Sequence, residues 1–171
     1  MKKIQRIAIF GRPGSGKSTL TNHLSKQLHL PLHHLDRWFY IDHWIEREYQ
    51  EFLGIVQNFV HQEKWIIDGN SLKSLEMRYA KADVAIYMCY PRLICLWRVF
   101  KRYWLQKNNF DDRAANCPEK IDWKFIKYIW TYERRMIPSL TLLQTTYPTV
   151  IFYKITNDKE LKNLLKTIRQ L

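Results

Sequence analysis

"FGRPGSGKSTL", residues 10–20, decides how this chain is read. Gly11, Gly16, Lys17 and Ser18 satisfy the pattern G-x-x-x-x-G-K-[ST], and each fixed position has a chemical reason. The glycines let the backbone curl until its N–H groups face a phosphate, and the helix that starts there adds a partial positive charge. Lys17 reaches the β and γ oxygens, while Ser18 offers a hydroxyl to Mg²⁺. With Gly14, Ser15 and Thr19 these residues form the expected nucleotide-binding set, and ATP with Mg²⁺ are the implied ligands. Arg12 and Pro13 read as loop fillers. The flanks agree with the loop: "IQRIAIF" (4–10) is apolar and β-rich, and Leu20, Leu24 and Leu28 recur four apart after it. That is strand, loop, helix.

Outward from the loop, the pattern repeats. "LPLHHL" (30–35) reads as a short strand, "EREYQEFLGIVQNFVHQ" (46–62) as an amphipathic helix, and "KWIIDGN" (64–70) as a strand ended by a turn at Gly69. "DVAIYMCY" (83–90) is a buried strand. The helix after it opens at Pro91 and places Leu93, Leu96, Trp97, Phe100 and Trp104 on one face, expected to be core. A polar gap, "KNNFDDRAANCPEK" (107–120), leads to a long helical segment that Pro138 is expected to kink or restart. "TVIFYKI" (149–155) is the last strand. Asn157 and Glu160 form a capping box for a final helix with Leu161, Leu164, Leu165 and Ile168 inward. Five short strands alternating with helices predict an α/β fold, a mostly parallel five-stranded sheet covered on both faces.

With 171 residues the chain fits one domain, 1–171. The start "MKKIQRIAIFG" lacks the long apolar run and small-residue cleavage site of a secretory signal, and no stretch approaches bilayer-spanning length. Cys89, Cys95 and Cys117 are odd in number and lack C-x-x-C spacing, which points away from a disulfide framework or a zinc site and toward the cytoplasm. His29, His33, His34 and His43 form no regular helical pair of the H-x-x-x-H kind and are not read as a metal site. The formal charge of +12 has two functional explanations, non-specific attraction of nucleic acid or convergence on an anionic phosphorylated ligand, besides that of a basic solvated surface.

Two aspartates stand where chemistry is expected. In open α/β sheets ligands lie at the carboxyl ends of strands. Asp68 ends "WIID" and is the candidate Mg²⁺ partner, directly or through water; Asp36 ends "LHHLD" and is the candidate for orienting or deprotonating an acceptor hydroxyl. Trp38, Phe39 and Tyr40 follow Asp36 and are placed to stack on a planar acceptor or a base. Arg98 and Arg102, four apart, project together, opposite the apolar stripe. Arg113 lies in the polar gap, where a lid would carry it onto the phosphates. Lys120, Lys124, Lys127 and Arg134 follow helical spacing and form a basic face.

Taken together, the loop, "LPLHHLD", "WIIDGN", "ADVAIYMCYPRLICLWRVFKR", "NCPEKIDWKFIKYIW" and the Tyr132–Pro138 spacing resemble the adenylate-kinase type of P-loop kinase. More closely they resemble the bacterial group known as DNA topology modulation proteins, which is FlaR-related. The resemblance implies a three-layer α/β/α P-loop NTPase fold with strand order 2-3-1-4-5 and a short, zinc-free lid at about 106–120. It places Asp68 near Mg²⁺, Arg98 and Arg102 on the ATP base and phosphates, and Arg113 in the lid, as a catalytic group beside Lys17, Asp36 and Asp68. The acceptor region departs from the pattern. "DRWFYIDHWIE" replaces the stretch and arginine that hold AMP, and "DGNSLKS" replaces "DGFPR". Within the closer group, Ser71 stands where an aromatic usually follows Asn70. Asp36, Arg37, Trp38 and Asn70 are therefore the candidates for an acceptor site of another kind. The resulting expectation is a kinase for a small-molecule or nucleotide acceptor, with a nucleic-acid-associated ATPase as the alternative.

Overall fold

A computed structural model describes residues 4–105, 117 and 121–170. Its strands are β1 (Arg6–Gly11), β2 (Leu32–His34), β3 (Trp65–Asp68), β4 (Val84–Met88) and β5 (Ile151–Ile155). All pair in parallel, in the order β2-β3-β1-β4-β5. The predicted strand order and the parallel sheet are therefore observed. The helices are α1 (Lys17–Leu28), α2 (Leu35–Phe39), α3 (Tyr49–His61), α4 (Leu75–Lys81), α5 (Arg92–Leu105), α6 (Trp123–Thr146) and α7 (Asp158–Gln170).

Strand alternation divides the core into two layers. Ile7, Ile9, Ile66, Val84, Ile86 and Met88 face α1, α5 and α7, where they meet Leu20, Leu24, Val99, Leu164 and Ile168. Ala8, Phe10, Trp65, Ile67, Ala85 and Tyr87 face α3, α4 and α6, against Phe52, Val56, Tyr79, Tyr132 and Met136. The three central strands are buried on both faces, which is why they read as unbroken apolar runs. Each fully buried aliphatic or aromatic side chain contributes about 1.5–3 kcal/mol.

Four expectations change. α5 turns Cys95 and Val99 inward, while the stripe of Leu93, Trp97, Phe100 and Trp104 faces solvent and only Leu96 is partly buried. The reason is local: a Cβ on Gly14 would lie 2.4 Å from the Cys95 carbonyl oxygen and 2.9 Å from Val99, so α5 must present small side chains where the loop approaches. α6 runs through Pro138 without restarting. Strand β2 ends at His34, which puts Asp36 in the first turn of α2 instead of at a strand end. At α7, Asn157 accepts from the Glu160 N–H as expected, but the Glu160 carboxylate reaches back to the N–H and hydroxyl of Thr156. Helix α4 is too short to show a period and was not foreseen.

Candidate active site

The carboxyl ends of β1, β3 and β2 bring Gly11, Asp68 and His34 to one edge of the sheet, with Ile9 in register with Asp68 and Asp68 with His34. From that edge the loop runs into α1. Gly11 and Gly14 have positive φ, and a side chain at Gly11 would strike the Met88 carbonyl at 2.3 Å. The loop is thus locked between β4 and α5. Gly16 stands at the N-cap of α1 with no capping side chain, and the first turn holds no acidic residue. Those N–H groups and the helix dipole are left to an anion. The Ser15 hydroxyl, buried under the same loop, has no hydrogen-bond partner among the described residues.

Lys17 lies across this cradle, donating to the carbonyls of Gly11 at 2.9 Å and Arg12 at 3.3 Å. Burial lowers its pKa, and the charges of Asp36 and Asp68 pull the other way. Ser18 and Thr19 occupy the first turn of α1. Asp68 is 5% exposed. Its Oδ1 accepts from His34 Nδ1–H at 2.8 Å, and its Oδ2 lies 3.4 Å from the Thr21 hydroxyl, whose shorter bond, at 3.0 Å, goes to the Ser18 carbonyl. A carboxylate has about four acceptor positions, so the His34 bond orients it and leaves capacity for more.

Arg98 and Arg102 do project to one side, and that side is the loop. Arg98 Nη1 donates to the Ser15 carbonyl at 3.3 Å, its guanidinium lies over the Tyr90 ring, and Nη2 is 3.5 Å from Asp158. The charge of Arg102 acts on Lys17 and favours its neutral form. Arg113 and the lid segment 106–120 lie outside the described residues, apart from Cys117. That thiol is buried and accepts the Trp44 N–H at 3.2 Å, beside the loop that follows α2.

Asp36 is exposed in the first turn of α2. Its charge raises the pKa of Lys17, Tyr40, Tyr128 and Arg78. Burial pushes both Tyr40 and Tyr128 up to about 12, so they are neutral hydrogen-bonding phenols at physiological pH. Asn70, Leu72, Tyr128, Tyr132, Arg135 and Met136 line a cleft of about 100 Å³. Arg37 is exposed, and Trp38 rests edge-on against Phe59 of α3. Phe39 turns into the core against Tyr49 and Phe52, so the expected stacking row of three aromatics is not formed.

Asn70 is the joint of this region. Its Oδ1 accepts the Gly11 N–H at 3.2 Å and the buried Tyr132 hydroxyl at 3.1 Å, tying β3, the loop and α6 together. Three other residues were not picked out by sequence reasoning. Arg12 is no filler: it is 4% exposed, donates to the Tyr90 carbonyl at 2.5 Å and pairs with Glu133 of α6 at 3.2 Å. Arg78, fully buried, donates to the carbonyls of Gly69, Ser71 and Ser74 and so holds the turn after β3; burial lowers its pKa to about 10. His34 orients Asp68. Only its place beside Asp36 in "LHHLD" could have singled it out.

No family model matches the chain, and no curated protein matches it in sequence. Solved structures do. A shikimate kinase from Acinetobacter baumannii in complex with shikimate superposes with TM-score 0.62 at 14% identity, covering 98% of this chain and 94% of that one. A shikimate kinase from Bacteroides thetaiotaomicron gives 0.57 at 14%, covering 98% and 97%. A deoxyadenosine kinase from M. mycoides with dCMP and dCDP bound gives 0.56 at 14%, covering 96% and 98%. With the sheet order, these likenesses show that the chain has the three-layer α/β/α P-loop NTPase fold, built as in P-loop kinases.

Proposed function

We propose that the chain is an ATP-dependent phosphotransferase that passes the γ-phosphoryl group to a hydroxyl of a small-molecule or nucleotide acceptor. The observation that supports this above all is the position of Asp36: an exposed carboxylate at the start of α2, near enough to Lys17, Tyr40 and Tyr128 for its charge to act on all three. A carboxylate can serve water or a hydroxyl alike as nucleophile; the nearby cleft lined by Asn70, Tyr128 and Tyr132 is what favours an acceptor larger than water. The solved neighbours that act on small hydroxylated molecules lend weight to the same reading. The finer kinship, with the DNA topology modulation group, rests on the sequence stretches quoted above.

In this reading the uncapped α1 N-terminus, the loop N–H groups and Lys17 bind the β- and γ-phosphates. Ser18 and Asp68 would hold Mg²⁺, which would supply positive charge to the phosphates. His34 keeps Asp68 aimed. Gly11, Gly14, Ser15, Gly16 and Thr19 shape the cradle, and Arg98 and Arg102 flank it, Arg98 from a fixed bond to the Ser15 carbonyl. Asp36 orients the acceptor hydroxyl and takes its proton as the new P–O bond forms and the bond to ADP breaks. Arg37, Trp38 and Asn70 border the acceptor space, with Asn70 acting through the loop and α6, and Arg113 is assigned to the phosphates.

A screen of sugars, polyols, shikimate-like hydroxy acids and nucleosides with γ-labelled ATP tests this. The expected result is transfer to one class, abolished by Lys17→Ala. Hydrolysis without transfer to any class, stimulated by duplex DNA with a steep salt dependence, would instead support the nucleic-acid-associated ATPase that the +12 charge motivates.

A further inference from the structure

α5 presents to solvent the stripe that its sequence marks as apolar. Leu93, Trp97, Phe100 and Trp104 recur at helical spacing, and Trp104 is 82% exposed. α6 does the same beside it: Trp123, Trp130 and Ile137 share one exposed stripe, with Lys127 and Arg134 between them. The two stripes adjoin. Arg92, at the start of α5, lies over the Trp130 ring at 4.3 Å, while Phe125 and Ile129 of α6 share a core layer with Cys95 and Val99 of α5. Four of the chain's seven tryptophans stand on this one face. A single exposed indole needs no explanation, but a contiguous patch of this kind marks a contact surface.

Charge narrows what the partner is. Of the basic residues of α5 and α6, Arg92, Lys101, Lys127 and Arg134 stand on or beside these stripes, and the one carboxylate of the two helices, Glu133, is engaged by Arg12. Cations sit among the indoles, with Lys101 over Trp97 as well as Arg92 over Trp130. A second copy on the same patch would bring like charges face to face with no free carboxylate on these helices to answer them. Duplex nucleic acid would satisfy the cations but keeps its bases stacked within the helix, and single strands, whose bases stack on indoles, leave Leu93 and Ile137 without an apolar partner. An anionic lipid surface answers both: headgroups meet Lys and Arg, and Trp and aliphatic groups settle at the headgroup boundary. We propose that the α5–α6 face docks on membranes rich in anionic lipid. No helix among the described residues is long and apolar enough to cross a membrane, so the contact is interfacial. Arg98 and Arg102 turn to the loop and take no part.

Co-sedimentation of the full chain with vesicles tests this, using phosphatidylcholine alone and an equal mixture with phosphatidylglycerol. Binding is expected only to the mixture and is expected to weaken with added salt. Trp104→Ser with Trp123→Ser, and separately Lys101→Glu with Lys127→Glu, should each lower the partition coefficient about tenfold or more, with unchanged circular dichroism and MgATP affinity. The charge-reversal pair leaves every apolar contact in place and so remains informative if the tryptophan pair misfolds. Four results would overturn the proposal: no binding to either vesicle, binding that both variant pairs retain, a lipid-free dimer that the tryptophan pair dissociates, or duplex DNA displacing the vesicles.

Discussion

Replacing Asn70 with alanine is expected to cost about 2–4 kcal/mol of folding stability. The amide oxygen accepts from the Gly11 N–H at 3.2 Å and from the Tyr132 hydroxyl at 3.1 Å. Each neutral hydrogen bond is worth about 1 kcal/mol net, and a buried donor left without a partner costs about 1–3 kcal/mol. Tyr132 is 3% exposed, so its hydroxyl loses its side-chain partner inside the protein when the amide is gone. Tyr132→Phe, by contrast, removes one bond and leaves the amide oxygen with its other donor, for a cost of about 1 kcal/mol. Once Asn70 is alanine, the same Tyr132→Phe removes a hydroxyl that is already unpaired, and it costs nothing or restores part of the loss. The two substitutions are therefore coupled by about 1 kcal/mol or more. Urea denaturation of the four proteins of the cycle, fitted with one common slope, reads this directly. Costs that add within about 0.5 kcal/mol would refute the bridge. So would an Asn70→Ala protein as stable as the parent.

Other consequences follow from single contacts. Gly14→Ala should lose about 2–5 kcal/mol, because φ is +79° and the new Cβ would meet the Cys95 carbonyl at 2.4 Å, whereas Gly54→Ala, with open space in helix α3, should gain about 0.5–1 kcal/mol; thermal melts of both compare them. Asp36→Asn should lower kcat by about 10²–10⁴ with the acceptor found by the screen, while MgATP affinity measured by calorimetry stays near that of the parent; an unchanged kcat would remove Asp36 from the chemistry. Alkaline pH should unfold the protein through its phenols. Tyr40 and Tyr128 ionise near 12 when folded but near 10 when unfolded, so the stability that depends on their neutrality is intact below about 10 and is lost as pH rises through 12. Denaturation midpoints that do not move across that window, or phenolate absorbance that appears at 10 without unfolding, would contradict the buried environment of these two rings.

The five strands, their parallel pairing and the phosphate loop are legible because each depends on a local signal, apolar runs alternating with helices and glycine spacing, whereas the strand order follows from the family resemblance, since apolar runs do not say which strands pair. The face of α5 was not legible. Helical periodicity shows that Leu93, Trp97, Phe100 and Trp104 share a side, but not which side the loop will occupy. Close approach of Gly14 to Cys95 decides that, and it requires small residues inward. The site arginines divide in the same way. Arg98 was visible through its spacing from Arg102, whereas Arg12 and Arg78 bond mainly to backbone carbonyls, and carbonyls carry no sequence signature.

Arg12 shares a task with Asn70. Glu133 holds Arg12, and the neighbouring Tyr132 holds Asn70, which in turn holds Gly11; two adjacent residues of α6 thus grip both ends of the Gly11–Arg12 step from different directions. Lys17 rests on the carbonyls of that same step. A shift of α6 therefore moves the carbonyls that position the lysine, and a phosphate that draws Lys17 away frees those carbonyls in return. Tyr128, one turn before Tyr132 on the same helix, feels the charge of Asp36 and lines the small cleft with Asn70. One wall of that cleft and the anchor of the Gly11–Arg12 step are consequently the same helix. Under the function proposed above, with the acceptor beside that cleft, nucleotide and acceptor are expected to bind with coupled affinities, and calorimetric titration of each in the presence of the other checks this.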